Sequence, residues 1–324
     1  MINRLTVFLA LVMLQGPALA DDLTEAFAAL ERGERESALA LFEADADNPT
    51  AQLQLAMLYM GSDPDTAEDW IEKALESQPD NAQVYFVRGN IMGAQAQQAS
   101  VFSAMGYAKK CKTSYERAVE LEPENPEYMW GLMQFYINAP AIAGGDMETA
   151  AELVERISQV DEKAGLLARL DYHGAREEND QVEATLKAGK AAYPDSAEFY
   201  FRTGIYEMQD ENFSAAFTEF TTASEMVSTD EDSEIARYNA MYQIGRTALF
   251  SEQKIPEGIA ALNRFIEEAP ASESLPDKNW AHFRLAGLYE LADRRQDAKV
   301  IYASLEGTSD KDLRKQVRKK LKKL

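Results

Sequence analysis

The chain has 324 residues, with 33 Lys and Arg against 55 Asp and Glu and a formal net charge of −22. So acidic a balance excludes a body built to hold nucleic acid. One cysteine and two histidines exclude a disulfide framework and the usual Cys/His zinc spacings.

Residues 1–20 read MINRLTVFLALVMLQGPALA: Arg4, an apolar run from Leu5 to Leu14, helix-breaking Gly16 and Pro17, then a small-x-small end. This layout predicts a secretory signal cut before Asp21, because an apolar run of about 10 residues cannot span a bilayer of about 30 Å. The expected location is the bacterial periplasm, with secretion as the alternative. No apolar run after Leu23 is long enough for a membrane helix, so no stable membrane insertion is expected.

Beyond the signal one register recurs. Ala38 and Phe42 give a faint copy ending at Pro49; Ala67, Ile71, Ala74 and Pro79 give a clearer one. Tyr85 and Gly89, then Cys111, Tyr115, Ala118 and Pro123, give a third. Here Gly89 and Cys111 are 22 positions apart where about 12 would match the other copies, so both helices of hairpin 82–123 are expected to be lengthened, their tips protruding and packed through Ala94, Ala96, Ala99, Ala104 and Gly106. The fourth copy has a helix over 128–138, a Gly-Gly loop at 139–146 and a second helix from Met147. The fifth keeps Leu186, Gly189 and Pro194 but has Val182 where alanine is usual; the sixth keeps Tyr200, Gly204, Ala216, Phe220 and Ala223. The seventh has Gly245, then Gly258, Leu262 and Phe265, and the eighth Ala286, Tyr289, Ala298 and Tyr302.

The second-half positions fall at i, i+4 and i+7, one face of a helix. Small side chains there let two helices approach closely, an aromatic fills the space beside them, and the proline stops the second helix. Each unit is then an antiparallel hairpin whose apolar surface only its neighbours can cover.

This pattern resembles the tetratricopeptide repeat (TPR) family over residues 23–309. The long third hairpin and the Gly-Gly loop of the fourth resemble a subgroup of exported bacterial TPR proteins. The resemblance implies an all-α fold, a right-handed α-solenoid of about eight antiparallel helical hairpins. It also implies that the first helix of each unit lines a concave groove. Carried over by register, the groove residues are Phe86 and Asn90; Met129, Met133 and Tyr136; Phe201, Ile205 and Met208; Tyr242 and Arg246; and Trp280, Phe283 and Glu290. Such an aromatic and Met-rich lining suits apolar partner side chains. Asn90 and Arg246 are too isolated for a clamp on a C-terminal carboxylate.

Other chemistry is weakly signalled. The loop PAIAGGDMETA (140–150) lacks the Lys-Ser/Thr of a phosphate-binding loop, so Gly144 and Gly145 are read as turn residues at positive φ and Asp146 as a helix cap. TDEDSE (229–234) is read as a solvated inter-repeat loop carrying Asp230, Glu231, Asp232 and Glu234. His173 and His282 are read as packing residues, and Cys111 as a small buried filler. No metal, cofactor or catalytic residue is assigned.

From Asp310 onward eight Lys and Arg face two acids, whereas residues 21–309 hold 24 basic and 53 acidic residues, a net −29. Residues 310–324 form a basic amphipathic helix with Leu313, Val317, Leu321 and Leu324 along one side. It is expected to cap the last hairpin; contact with anionic lipid, or with the acidic body or a partner, is the alternative. The functional expectation is a non-enzymatic scaffold that grips protein or peptide segments, cationic or apolar, and no nucleic acid. A carrier of a small apolar ligand or envelope component in the same groove is the alternative.

Overall fold

The computed structural model describes residues 23–227, 230–270, 272 and 274–324; the signal expected at 1–20 lies outside them. Among the described residues there are seventeen α-helices, one 3-10 turn and no strand. They follow as α1 (Thr24–Glu31) and α2 (Arg35–Ala44), α3 (Pro49–Met60) and α4 (Pro64–Ser77), α5 (Ala82–Gln98) and α6 (Val101–Leu121), and α7 (Pro126–Asn138) and α8 (Met147–Val160). Next come α9 (Glu162–Ala175) and α10 (Asn179–Ala192), α11 (Ala197–Gln209) and α12 (Phe213–Glu225), and α13 (Glu231–Ser251) and α14 (Ile255–Glu268). The last are α15 (Lys278–Leu291), α16 (Arg295–Ser304) and α17 (Lys311–Leu321).

The chain divides into two compact units, one ending at Thr185 and the other beginning at Leu186, so the division falls within α10. In the first unit the pairs α1–α2, α3–α4, α5–α6 and α7–α8 each pack on the next, through α2 on α3, α4 on α5, α6 on α7 and α8 on α9. In the second, α11–α12, α13–α14 and α15–α16 do the same, and α16 packs on α17.

The recurring positions make the hairpins. Ala38, Ala67, Ala74, Ala118, Ala150, Ala216, Ala223 and Ala298 on the second helices are fully buried. Beside them on the same face sits one large side chain, such as Phe42, Ile71, Tyr115, Phe220 or Tyr302, all buried. In the third and sixth hairpins a glycine on the first helix is the floor for that side chain. A Cβ on Gly204 would lie 2.6 Å from the ring of Phe220, and one on Gly89 would lie 2.5 Å from the ring of Tyr115. Truncating such a ring to Ala removes about 3–5 kcal/mol of stability, because the cavity left behind cannot close.

Four hairpin turns share one closure. Glu34, Glu178, Asn212 and Arg294 each donate a backbone N–H to the carbonyl five residues earlier, at 2.8, 3.0, 2.8 and 2.8 Å. The residue before each, Gly33, Glu177, Glu211 or Asp293, is left-handed. This is the helix end that satisfies orphan carbonyls with a left-handed residue, and three of the four turns make it without glycine. At the other end, Asn48, Asp63, Asn81, Asn125, Asp146, Asp161, Asp230, Asp277 and Asp310 each cap the helix that follows through a side-chain oxygen.

Two local expectations are corrected. Residues 231–234 are not a loop: they are the first turn of α13, whose cap Asp230 accepts the N–H of Ser233 at 2.7 Å, and acids gather there because a helix N-terminus is electropositive. Gly106 does not pack the hairpin tip, since it is exposed and a Cβ there would meet no atom within 4 Å.

The two kinds of helical glycine predict opposite outcomes. Gly106→Ala should stabilise by about 0.5–1 kcal/mol, because Ala restricts the unfolded chain and meets no obstacle. Gly204→Ala should destabilise by about 1–3 kcal/mol, since displacing the fully buried Phe220 ring outweighs the gain in helix propensity. Chemical denaturation of both variants beside the parent checks the signs.

Candidate functional site

The structure puts most of the expected groove residues inside the stack. Phe86 is buried, with its ring 4.9 Å from Tyr128 and 5.7 Å from Tyr115. Asn90 is buried and accepts the Tyr115 hydroxyl at 2.6 Å. Met129 and Met133 are fully enclosed. Tyr136 is buried too and donates to Glu116 at 3.2 Å; burial, then that carboxylate, pushes its hydroxyl up to about 12.

In the second unit Phe201 packs on Phe220 at 6.0 Å and is buried, while Ile205 and Met208 are half-buried. Tyr242 is buried and accepts from Arg284 Nε at 2.7 Å, and the Arg284 guanidinium lies over Tyr242 and Trp280 at 5.3 and 5.9 Å. Trp280 donates from Nε1 to Asp310 at 2.9 Å, and Phe283 bridges Trp280 and Tyr302 at 5.7 and 5.4 Å. Glu290 accepts from Tyr302 and Lys320 at 2.6 and 2.7 Å. Arg246 is half-buried over Phe250 at 5.6 Å and donates to Gln243 at 2.9 Å. The structure therefore joins Tyr242, Arg284, Trp280 and Asp310 into one network holding α13, α15 and α17 together. Arg284, its centre, was not singled out from the sequence.

The open apolar surface lies elsewhere. Residues 89–108 contain no Asp, Glu, Lys or Arg, in a chain where 27% of residues are charged. This run forms the far end of the α5–α6 hairpin. Phe102 is 95% exposed there and Met105 41%. Phe102, Met105, Lys109, Lys112 and Glu116 recur at three- and four-residue steps, so they share one face of α6. The fourth-hairpin loop docks partway along that face. A Cβ on Gly144 would lie 3.4 Å from Lys112 Cδ, and Ile142 in the same loop is 83% exposed. Ala94, Ala96, Ala99 and Ala104, expected to pack the tip, are half-buried, and the exposed apolar surface is that of Phe102 and Met105.

The loop itself is a helix-capping turn. Asp146 accepts the N–H groups of Glu148 and Thr149 at 2.9 and 3.4 Å and the Thr149 hydroxyl at 3.0 Å. The two glycines serve different ends. Gly144 is left-handed at φ +97, whereas Gly145 is not at positive φ: it is required because a Cβ there would sit 1.8 Å from the Ala139 carbonyl oxygen.

Among the described residues no group of three or more His, Cys, Asp and Glu is placed to hold a metal ion. His173 Nδ1 lies 2.7 Å from Glu178, closing its own turn. Burial, then Lys278, holds the His282 imidazole below its ordinary value. Cys111 is buried, and desolvation pushes its thiol up to about 12.

No family model and no curated protein matches the chain. Solved structures do. The chain is similar to yeast Tom70 at a TM-score of 0.65 and 15% identity, over 89% of this chain and 58% of that one. It is similar to a tetratricopeptide repeat protein from Parabacteroides merdae at a TM-score of 0.52 and 13% identity, over 82% and 96%. It is also similar to a chain of the APC/C hetero-tetramer Cut9–Hcn1 at 0.50 and 13%, over 93% and 54%. The chain thus spans little more than half the length of the first and third. At these identities the likeness is one of fold, an α-solenoid of TPR-like helical hairpins.

Two outcomes follow from the titrating groups. The Thr149 hydroxyl and the Glu148 N–H hold the Asp146 carboxyl below the usual carboxylate range. Its contribution to stability should be complete above the unfolded value of about 3.9 and vanish as pH falls through the lowered native value; a carbon-detected NMR titration should place its midpoint below that of a model peptide. The Cys111 thiol should stay unmodified by a maleimide at neutral pH in the native protein and react stoichiometrically in denaturant, as mass spectrometry would read.

Proposed function

We propose that the chain is a non-enzymatic scaffold of the bacterial periplasm that binds apolar segments of other proteins, its main contact surface being the projecting end of the α5–α6 hairpin. The observation that carries this reading is the uncharged 89–108 stretch with Phe102 almost wholly in solvent. Exposed apolar surface is unfavourable unless something covers it, and clustered on a rigid element it marks an interaction site. Exposed Lys109, on the same face of α6, adds a cationic anchor next to Met105.

The fold agrees with this assignment: the structurally similar Cut9–Hcn1 chain is described as part of a hetero-tetramer. The first-helix face offers a smaller contribution, through half-buried Ile205, Met208, Arg246, Trp280 and Phe283, because Phe86, Asn90, Met129, Met133, Tyr136, Phe201 and Tyr242 are buried within the stack. Export rests on the amino-acid pattern of residues 1–20, and the exported TPR subgroup remains the family reading that this pattern and the long hairpin support.

A photo-crosslinking residue in place of Phe102, in the full chain expressed in a Gram-negative host, should give discrete protein adducts from the envelope fraction. The same residue in place of exposed Val300, on α16, should not. Phe102→Asp with Met105→Asp should lower recovery of the adducted protein more than ~10-fold with helical content unchanged, in line with the loss of a central apolar anchor. Equal adducts from both positions, or undiminished recovery with the double variant, would overturn the assignment to the hairpin.

A further inference from the structure

The last helix carries a second surface, opposite in character to the hairpin tip. Lys311, Arg314, Lys315, Arg318, Lys319 and Lys322 line one depression of about 510 Å³ along α17. Their spacing of three, one, three, one and three residues keeps all six on one side of the helix, over a straight run of about 16 Å. Among the described residues none of the six forms an ion pair, while Lys320, on a different side, is held by Glu290 at 2.7 Å. From Asp293 to the end the chain has 11 Lys and Arg against 5 Asp and Glu, so the sequence beside the row dilutes it little.

The apolar side of α17 is already used. Leu313 and Val317 are fully buried with Ala286, Ala298, Tyr302 and Leu305, and Leu321 and Leu324 pack against the same cluster. The start of the helix is fastened by Asp310, which accepts the N–H groups of Asp312 and Leu313, both at 2.9 Å, and the Trp280 indole at 2.9 Å. A helix held this way cannot roll its leucines into lipid. What it presents outward is charge on a fixed line.

We propose that this face docks the protein peripherally on an anionic phospholipid surface, without insertion. Three features select that occupant. A fluid bilayer needs no shape complementarity, and the row offers none: it has long cationic side chains with no aromatic or apolar anchor of the kind that dominates protein interfaces. A straight row of cations matches a plane of headgroups. The net −29 of residues 21–309 repels the same plane, so attraction is confined to the C-terminal end and the protein docks in one orientation. This surface is separate from the hairpin tip, and the proposal does not depend on the role assigned there.

Vesicle flotation of the full chain tests it. The chain should float with phosphatidylcholine vesicles containing phosphatidylglycerol at about 0.05 M salt, be released at about 0.5 M, and not float with phosphatidylcholine alone. Replacing all six cations with Gln should weaken flotation more than ~10-fold with the α17 packing kept, since Leu313 and Val317 are untouched. A charge-conserving variant, with Lys311→Arg, Lys315→Arg, Lys319→Arg and Lys322→Arg, should float like the parent, which separates lost charge from lost folding. No flotation on the anionic vesicles at low salt, salt-insensitive flotation, or equal flotation of a helical Gln variant would overturn the proposal. So would tighter retention on duplex DNA or polyglutamate than on the vesicles at the same salt.

Discussion

Everything in this fold depends on how closely two helices of one hairpin can approach. A glycine on the first helix receives a ring from the second, as Gly204 receives Phe220 between Ala216 and Ala223, and Gly89 receives Tyr115 between Cys111 and Ala118, all buried. The approach is set by hard contact, so it tolerates little change in size. Such a pair still has two apolar flanks, and only the adjoining pairs can cover them. That requirement also explains the fate of the expected groove lining. Phe86 packs on Tyr128 of the next first helix, Tyr136 reaches back to Glu116 on α6, and Met129 and Met133 are enclosed in the same core, so the stack takes them up.

The fold was legible because its cause is short-range and repeated. Ala67, Ile71 and Ala74, or Ala216, Phe220 and Ala223, state the helix face directly, and the prolines at 79, 123 and 194 follow the ends of α4, α6 and α10. The candidate surface was less legible, for physical reasons. Register alone does not say how far a first-helix side chain is covered by the next hairpin, so Tyr242 and Trp280 read as lining although they serve a network around Arg284. Alanines at the hairpin tip are half-buried as their size suggests, and the absence of charge over 89–108 is the sign of exposed Phe102 and Met105 among them. In the loop at 140–150 the cap at Asp146 was legible, but Gly145 was assigned the wrong task, because a backbone approach between Ala139 and Gly145 is not written in local propensity.

Much of the acidity has a local structural use. Asp63, Asp146, Asp161, Asp230, Asp277 and Asp310 accept backbone N–H groups at helix starts, and Glu231, Asp232 and Glu234 crowd the first turn of α13. These carboxylates complement helix N-termini as they do in any helical protein. The net charge therefore says less about a partner than its size suggests. Its distribution says more: an uncharged hairpin end, an acidic body and a cationic final helix divide one small protein into three chemically distinct surfaces.

One carboxylate oxygen of Glu290 serves both the Tyr302 hydroxyl and the Lys320 ammonium, and so ties α15, α16 and α17 through a single atom. The link to α17 runs through Gly307, around which there is open space. A protease cutting there would free a helix whose removal strips cover from Ala286, Ala298 and Tyr302 and deprives Glu290 of its cation. The remaining stack would end in a bare apolar seam shaped to receive another helix. Intact, α17 occupies that seam; clipped, the seam would be open to another helix.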